Sequence, residues 1–382
     1  MAGELVWTIL FGVSATYWLL LGLALAYTAR RVPTFAELPA PRRSQWPTLS
    51  LVVPARDEGA HVTEALEARL AEGYPALEVV LVDDRSTDDT GERARALARR
   101  DRRVTVTRVD ALPEGWLGKV HALERGLAVA RGEWLLFSDA DVHLAPGTLS
   151  RIVAWAEAEG VDHVAAMPSI TPGGPGTALS LTCFFRLIIG GGRLWAVADP
   201  KSKAAVGVGA FNLFRRSAYA RSPGLEWLKM EIGDDMALGV MLKRAGARSR
   251  VVIAQEAVSL QFYPSVRVMM KALEKNGATA PLPLSLLGLG LLLALELGWL
   301  AGFQSPGWPY ALAAWAYATA TGLLVARWLR HQAWPALLPG LGMVPLAFVL
   351  ARSAWLAWRR GGVVWRGTFY PTAAVRAGSR LT

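Results

Sequence analysis

Two apolar stretches at opposite ends constrain this chain more than any other feature. Leu5 to Tyr27 carries no charged residue and Pro281 to Trp358 carries few, while most of the charge falls between Arg30 and Lys275. As a helix the first stretch is about 35 Å long, enough to cross a hydrocarbon core of roughly 30 Å. The pattern implies a large soluble domain held between membrane segments, and 382 residues allow two or three units at about 150 residues each. Because 53% of the residues are hydrophobic, a disordered chain is excluded.

A cleaved signal peptide is the rival to a permanent first anchor, since Ala24-Leu25-Ala26 has the small-x-small form of a cleavage site. Glu4 precedes the stretch and Arg30, Arg31, Arg42 and Arg43 follow it, which orients the soluble domain toward the cytoplasm. Pro281 to Phe303 and Trp308 to Arg327 are two further candidate spans, separated by Gln304-Ser305-Pro306-Gly307. Trp334 to Trp358 is interrupted by Pro339, Gly340, Gly342, Pro345 and Arg352, and a full crossing would carry Arg359, Arg360 and Arg366 outside. A re-entrant hairpin or a surface-lying helix therefore stands beside a plain span. The expected organisation is an N-terminal anchor over 1–31, an α/β domain over 46–260, an interfacial amphipathic segment over 261–280, a transmembrane or re-entrant region over 281–358 and a cytoplasmic tail over 359–382.

Lys and Arg total 41 against 31 acidic residues, a net of +10 that fits nucleic acid, anionic lipid or an anionic cosubstrate. The Arg residues gather at membrane edges and in Arg93 to Arg103 without interleaved aromatics for base stacking, so no nucleic-acid partner is expected. Sixteen Trp residues crowd near the apolar segments, which favours a lipid bilayer as the partner. Cys183 stands alone, excluding an internal disulfide and a cysteine-built zinc site.

Between the anchors, Leu49 to Val53 and Leu77 to Val82 are short branched runs of the kind buried in a parallel sheet, and Val104 to Val109 and Glu133 to Ser138 also read as strands. Helical spacing separates them over His61 to Ala71, Thr90 to Arg100 and Lys119 to Arg131. The alternation predicts a doubly wound α/β sheet, in which ligands sit beyond the carboxyl ends of the strands. Acidic clusters occupy those positions: Asp83-Asp84 after the second strand, Asp139-Ala140-Asp141 after Phe137-Ser138, and Asp234-Asp235 leading into another helix. Hard divalent cations take oxygen ligands, and Mg²⁺ is commonly held by one or two carboxylates together with a substrate's phosphates. Each cluster also fits a solvated turn or a helix cap.

Together, Pro54-Ala55-Arg56-Asp57-Glu58, Val82 through Thr90, Asp139-Ala140-Asp141 and Gly233-Asp234-Asp235 resemble glycosyltransferase family 2 over about residues 48 to 275. Leu112 through Lys119, with Trp365-Arg366-Gly367 and Tyr370, is similar to the membrane-bound branch that includes carotenoid and hopanoid-associated glycosyltransferases and ceramide glucosyltransferases. The resemblance implies a GT-A type nucleotide-binding domain flanked by transmembrane helices. It implies inverting, non-processive transfer of a sugar from a nucleotide-sugar donor, a UDP-hexose, to a hydroxyl or carboxyl of a membrane lipid acceptor. On this chain Pro54, Ala55, Arg56 and Glu58 would line the nucleotide end, Asp83 and Asp84 would hold uracil and ribose, and Lys119 would lie near the diphosphate. Asp139 and Asp141 would bind Mg²⁺ or Mn²⁺, and Asp235 would be the catalytic base.

Two departures stand out. Gln261-Phe262-Tyr263-Pro264-Ser265 lacks the Arg-Trp of the processive Gln-x-x-Arg-Trp motif, and Asp57 replaces the family's usual Asn. Asp234 competes with Asp235 as base, although the family's Glu-Asp pair favours the second. The five histidines show no ligand spacing and read as surface or capping residues, and Gly190-Gly191-Gly192 reads as a flexible bend. Ala178 to Val197 and Val266 to Leu273 are apolar enough either to pack in a core or to lie in the headgroup layer, with Phe184, Phe185, Ile188 and Met269 in lipid and Arg186, Arg193, Arg267 and Lys271 meeting phosphates. The alternative function is a membrane-anchored binding or scaffold protein on an inactive fold.

Overall fold

The computed structural model describes residues 2–304 and 307–381, which divide into two compact units. Residues 32–170, 196–260 and 377–382 form the α/β unit. Its seven-stranded sheet contains β1 (Leu49–Ala55), β2 (Leu77–Asp84), β3 (Val104–Val109), β4 (Trp134–Phe137), β5 (His163–Met167), β6 (Asn212–Arg215) and β7 (Ser249–Ile253), in the order β3-β2-β1-β4-β6-β5-β7. All neighbouring pairs are parallel except those made by β6, which runs against both β4 and β5.

Short apolar runs explain why β1, β2 and β4 became strands buried on both faces, whereas the edge strand β3 alternates and keeps Thr105 and Arg108 exposed. Leu49, Leu51 and Val53 join Val79, Leu81, Leu66 and Ile152 in one core layer. On the other face Val52 and Val82 meet the helix Gly118–Val129, where Gly126 lies so close that a Cβ there would touch Val52 at 2.4 Å. Fully burying one such aliphatic side chain is worth about 1.5–3 kcal/mol, so this double coverage dominates the unit's stability. Pro54 is tolerated in a central strand because β4 pairs only with Leu49 to Val52, beyond which no ladder donor is needed on that side.

The sequence-derived strands and helices are present with ends shifted by up to two residues, but β5, β6 and β7 were not foreseen, and the antiparallel β6 makes the sheet mixed. One histidine expectation is overturned: His163 is fully buried on β5, between Ser249 Oγ at 3.1 Å and Asn212 Oδ1 at 2.7 Å.

Residues 1–31, 171–195 and 261–376 form the second, mainly helical unit. Three helices in the described residues are long and apolar enough to cross a membrane: Gly3–Arg31, Pro175–Ala196 and Leu282–Gln304. The set differs from the expected one. Trp308–Trp328 is helical but not among the three, and Pro175–Ala196 takes its place. Helix Pro175–Gly191 runs through Gly190, so the glycine triplet is a helix end rather than a bend. Residues 334–358 are broken as their Pro and Gly content implies, into a short turn at Trp334–Leu337 and a helix at Met343–Arg360. Of the expected turn at 304–307, Ser305 and Pro306 lie outside the described residues.

The headgroup-facing roles assigned to three residues are corrected. Phe185 is 2% exposed and Met269 is fully buried, whereas Phe184 is exposed. Arg186 is also buried and its Nη2 lies 2.5 Å from Glu296 Oε2. Tyr17 donates its hydroxyl to the other Glu296 oxygen, and the Arg186 guanidinium lies 4.7 Å from the Trp18 ring centre. A lone charge among apolar helices would be costly, so each of the three long apolar helices contributes a partner. Further along, Gly362–Trp365 and Thr368–Pro371 form a hairpin whose turn residues Arg366 and Gly367 have φ of 48° and 78°, the left-handed pair that a two-residue hairpin loop requires.

Candidate active site

Strand order reverses between β1 and β4, since β2 and β3 continue on one side of β1 and β4 lies on the other. A crevice opens at the carboxyl ends of strands at such a point. Pro54 and Asp139 meet there with Lys119, Asp234 and Asp235, lining one cleft together with Gly209 and Asn212. Ala55 ends β1, and Arg56 and Glu58 lie in the loop that follows it.

Lys119 ties the acidic clusters together. Its Nζ lies 2.7 Å from Asp139 Oδ1 and 3.4 Å from Asp234 Oδ2. Burial disfavours the ammonium charge, but Asp139, Asp234 and Asp235 outweigh that and hold Lys119 well above the ordinary lysine range. Asp139 is the open member, with its side chain 42% exposed. Asp141 is more enclosed, and burial followed by the neighbouring Asp139 pushes its carboxyl above the ordinary value against the pull of Arg69 and Lys119.

The two residues of the third cluster are sorted by their surroundings. Asp234 is buried against Lys119, whereas Asp235 is half-buried on the cleft. Asp235 Oδ2 accepts from Gly209 N at 2.8 Å and Oδ1 from Met236 N at 2.8 Å. A side chain at Gly209 would fall 2.7 Å from Asp139 Oδ2 and 3.3 Å from Asp235 Oδ2, so this position must stay bare for both carboxylates to approach the same backbone. Behind them, Asn212 Nδ2 donates to the Asp235 carbonyl at 3.1 Å, and the Asn212 oxygen takes the Nε2 proton of His163.

Asp83 and Asp84 stand apart from this cleft. Asp83 is fully buried, accepts from Ser86 N at 3.1 Å and pairs with Arg108 at 2.7 Å, while Asp84 makes a two-pronged pair with Arg85. Asp57 adopts φ of 54°, a left-handed conformation that Asp and Asn tolerate best among side-chain-bearing residues. Its Oδ1 accepts from Thr87 N at 2.8 Å and its own N–H donates to Ser86 Oγ, stitching the β1 and β2 loops together. This accounts for a residue whose role the sequence left open.

Arg69 was missed by the sequence reading. It is fully buried beneath the Asp-Ala-Asp turn, donating to the carbonyls of Asp139 and, at 3.4 Å, Ala140. Burial pushes it down to about 10, against the pull of Asp141 and Asp139, so it stays cationic at neutral pH. The available signal was positional: in Val62–Leu70 it falls on the same buried face as Val62, Ala65 and Leu66.

Asp139 and Asp141 fit the hard-oxygen chemistry of Mg²⁺ or Mn²⁺. Among the described residues no three or more His, Cys, Asp or Glu side chains are grouped to hold a metal.

A parallel-dominated sheet with acidic residues at its switch point agrees with the expected GT-A type fold. Residues 50–222 match the model of glycosyl transferase family 2, and the chain carries a domain of that family. Glycosyltransferase GlyG of Streptococcus pneumoniae is 37% identical over 93 residues, 24% of this chain and 30% of that protein. The 4,4'-diaponeurosporenoate glycosyltransferase of Staphylococcus haemolyticus is 32% identical over 97 residues, 25% of each chain. These matches thus span less than a third of the relatives' lengths. Among solved structures, mannosyltransferase PcManGT from Pyrobaculum calidifontis in complex with GDP-Man and Mn²⁺ aligns with 90% of this chain and 98% of its own, at TM-score 0.53 and 21% identity. That likeness bears out the fold.

Proposed function

We propose that this protein is a membrane-anchored, non-processive glycosyltransferase that moves a hexose from a nucleotide-sugar, a UDP-hexose, to the hydroxyl or carboxyl of a membrane lipid with inversion of the anomeric centre. The observation that carries the reading is the meeting of Lys119, Asp139, Asp234 and Asp235 on one cleft at the switch point. Three long apolar helices and the diaponeurosporenoate-named relative support a lipid acceptor, and Arg30 and Arg31 at the end of the first helix support a cytoplasmic donor site.

Asp235 takes the proton of an acceptor hydroxyl as its oxygen bonds to the anomeric carbon, and the electrons of the breaking bond leave with the diphosphate. Gly209 N and Met236 N hold that carboxylate in place. Lys119 presents a positive charge to the departing diphosphate. Asp139 and Asp141 would hold the divalent ion, which when bound neutralises charge on the leaving group. Pro54, Ala55, Arg56 and Glu58 line the nucleotide end. Asp83 and Asp84, committed to Arg108 and Arg85, shape the base and ribose pocket through those loops.

The test uses the purified full chain with UDP- and GDP-hexoses and a membrane lipid extract, read by mass spectrometry for a lipid that gains a hexose. Transfer that stops in excess chelator and returns with Mn²⁺ or Mg²⁺ is the expected result. Binding of a nucleotide-sugar with neither transfer nor hydrolysis would instead identify a scaffold on an inactive fold.

A further inference from the structure

The segment Gly378–Leu381 lies within the α/β unit against the loop that delivers Asp234 and Asp235. Its anchor is Glu231, a carboxylate only 2% exposed three residues before Asp234. One Glu231 oxygen accepts from Gly233 N at 2.9 Å. The other accepts from Arg380 N at 2.5 Å and Ser379 Oγ at 3.3 Å. Arg380 also donates through Nε to the Trp227 carbonyl at 3.0 Å, with its guanidinium 5.4 Å from the Trp227 ring centre.

Two glycines show independently that the contact is close-fitting. A Cβ at Gly378 would stand 2.3 Å from Met230 Cβ, and one at Gly233 would stand 2.8 Å from Leu381. The loop from Trp227 to Gly233 is therefore held at both ends and in the middle by a segment far away in sequence.

We propose that Gly378–Leu381 is a positioning clamp for the acidic pair, acting through Glu231. It does not touch substrate. Without it Glu231 would lose two of its three donors, and Gly233, the residue before the helix Asp234–Arg244, would be free to turn. Asp235 would then lose its fixed aim at the acceptor, while Pro54, Lys119 and Asp139, held by other elements, would still bind the donor. This inference rests on the transferase reading for its kinetic arm and on geometry alone for its structural arm.

The test compares wild type with Arg380→Ala, Glu231→Gln, Glu231→Ala and a chain ending at Gly378. Misplacing a catalytic group by about 1 Å can cost up to 10²-fold, so the shortened chain should lose roughly tenfold or more in kcat with donor KM unchanged. Glu231→Gln, which keeps one acceptor oxygen, should recover part of what Glu231→Ala loses. Hydrogen exchange at residues 227–236 should quicken in the shortened chain while the sheet strands stay protected. Unchanged kcat and unchanged exchange would overturn the clamp, as would equal losses in kcat and donor binding. If wild type transfers no sugar, the transferase reading fails and the exchange measurement alone decides the clamp: faster exchange at 227–236 upholds it and unchanged exchange rejects it.

Discussion

Two charged clusters in this molecule use the same side-chain chemistry toward opposite ends. In the α/β unit Lys119 bridges Asp139 and Asp234 on a cleft where Asp139 remains substantially exposed. In the helical unit Arg186 and Glu296 are at 4% and 0% side-chain exposure, and Tyr17 occupies the second carboxylate oxygen. The first cluster keeps Asp139 exposed on the cleft, where the proposed reaction would take place. The second is closed to solvent, and its charges are met by one another and by Tyr17.

The largest expected effect comes from breaking the closed cluster. Removing one partner of a buried pair leaves an uncompensated charge and costs about 3–5 kcal/mol, so Arg186→Ala or Glu296→Ala should sharply lower the unfolding midpoint in detergent. The double variant Arg186→Met with Glu296→Leu should recover most of that loss. A double variant as unstable as the singles would mean the cluster has a role beyond mutual neutralisation.

The open cluster is probed by Asp235→Asn. With a hydroxyl acceptor, transfer should fall by about 10² or more while nucleotide-sugar binding persists, because the alcohol's proton then has no acceptor. A carboxylic acceptor is already ionised at neutral pH and needs no base, so the same variant should be far less impaired on it. The size of the loss thus sorts the two acceptor classes. A dead Asp234→Asn beside an active Asp235→Asn would reverse the assignment of the base.

Legibility in the sequence followed the same division. The open cluster was readable because Asp139-Ala140-Asp141 and Asp234-Asp235 are local runs, strands β1, β2 and β4 because their apolar residues are contiguous, and β3 because Val104 to Val109 alternates apolar with polar. The closed cluster was not, since Tyr17, Arg186 and Glu296 lie far apart in sequence and only packing brings them together. Arg186 looked like a headgroup contact because charge on an apolar helix is usually exposed. Arg69 and His163 were overlooked for the same reason: nothing local says that a polar residue on a buried face has found partners.

His163 gives a third term, a buried group that stays neutral. Burial outweighs its bond to Asn212 and pushes it down to about 4, from 6.5. Above pH 6.5 neither the folded nor the unfolded chain protonates it. Below that the unfolded chain binds a proton that the folded one excludes, so stability should fall by about 1.4 kcal/mol per pH unit until about pH 4. Urea midpoints between pH 7 and 4.5 check this, and His163→Gln should flatten that part of the profile. An unaltered slope in the variant would assign the acid loss elsewhere.

The smallest effect belongs to an ion pair nearly as short as that of Arg186 but left in water. Arg93 Nε lies 2.6 Å from Asp89 Oδ2 at helical i,i+4 spacing, with the side chains 49% and 46% exposed. If short distance set the strength of an ion pair, Arg93→Ala should cost about as much as Arg186→Ala. Water screens the exposed pair and the long Arg93 side chain must be ordered to form it, so the expected cost is about 0.3–0.5 kcal/mol. Chemical denaturation of the two variants side by side decides the matter. A loss above about 1 kcal/mol at Arg93 would show that burial is not what separates the clusters, and the contrast between the open and closed sites would need another cause.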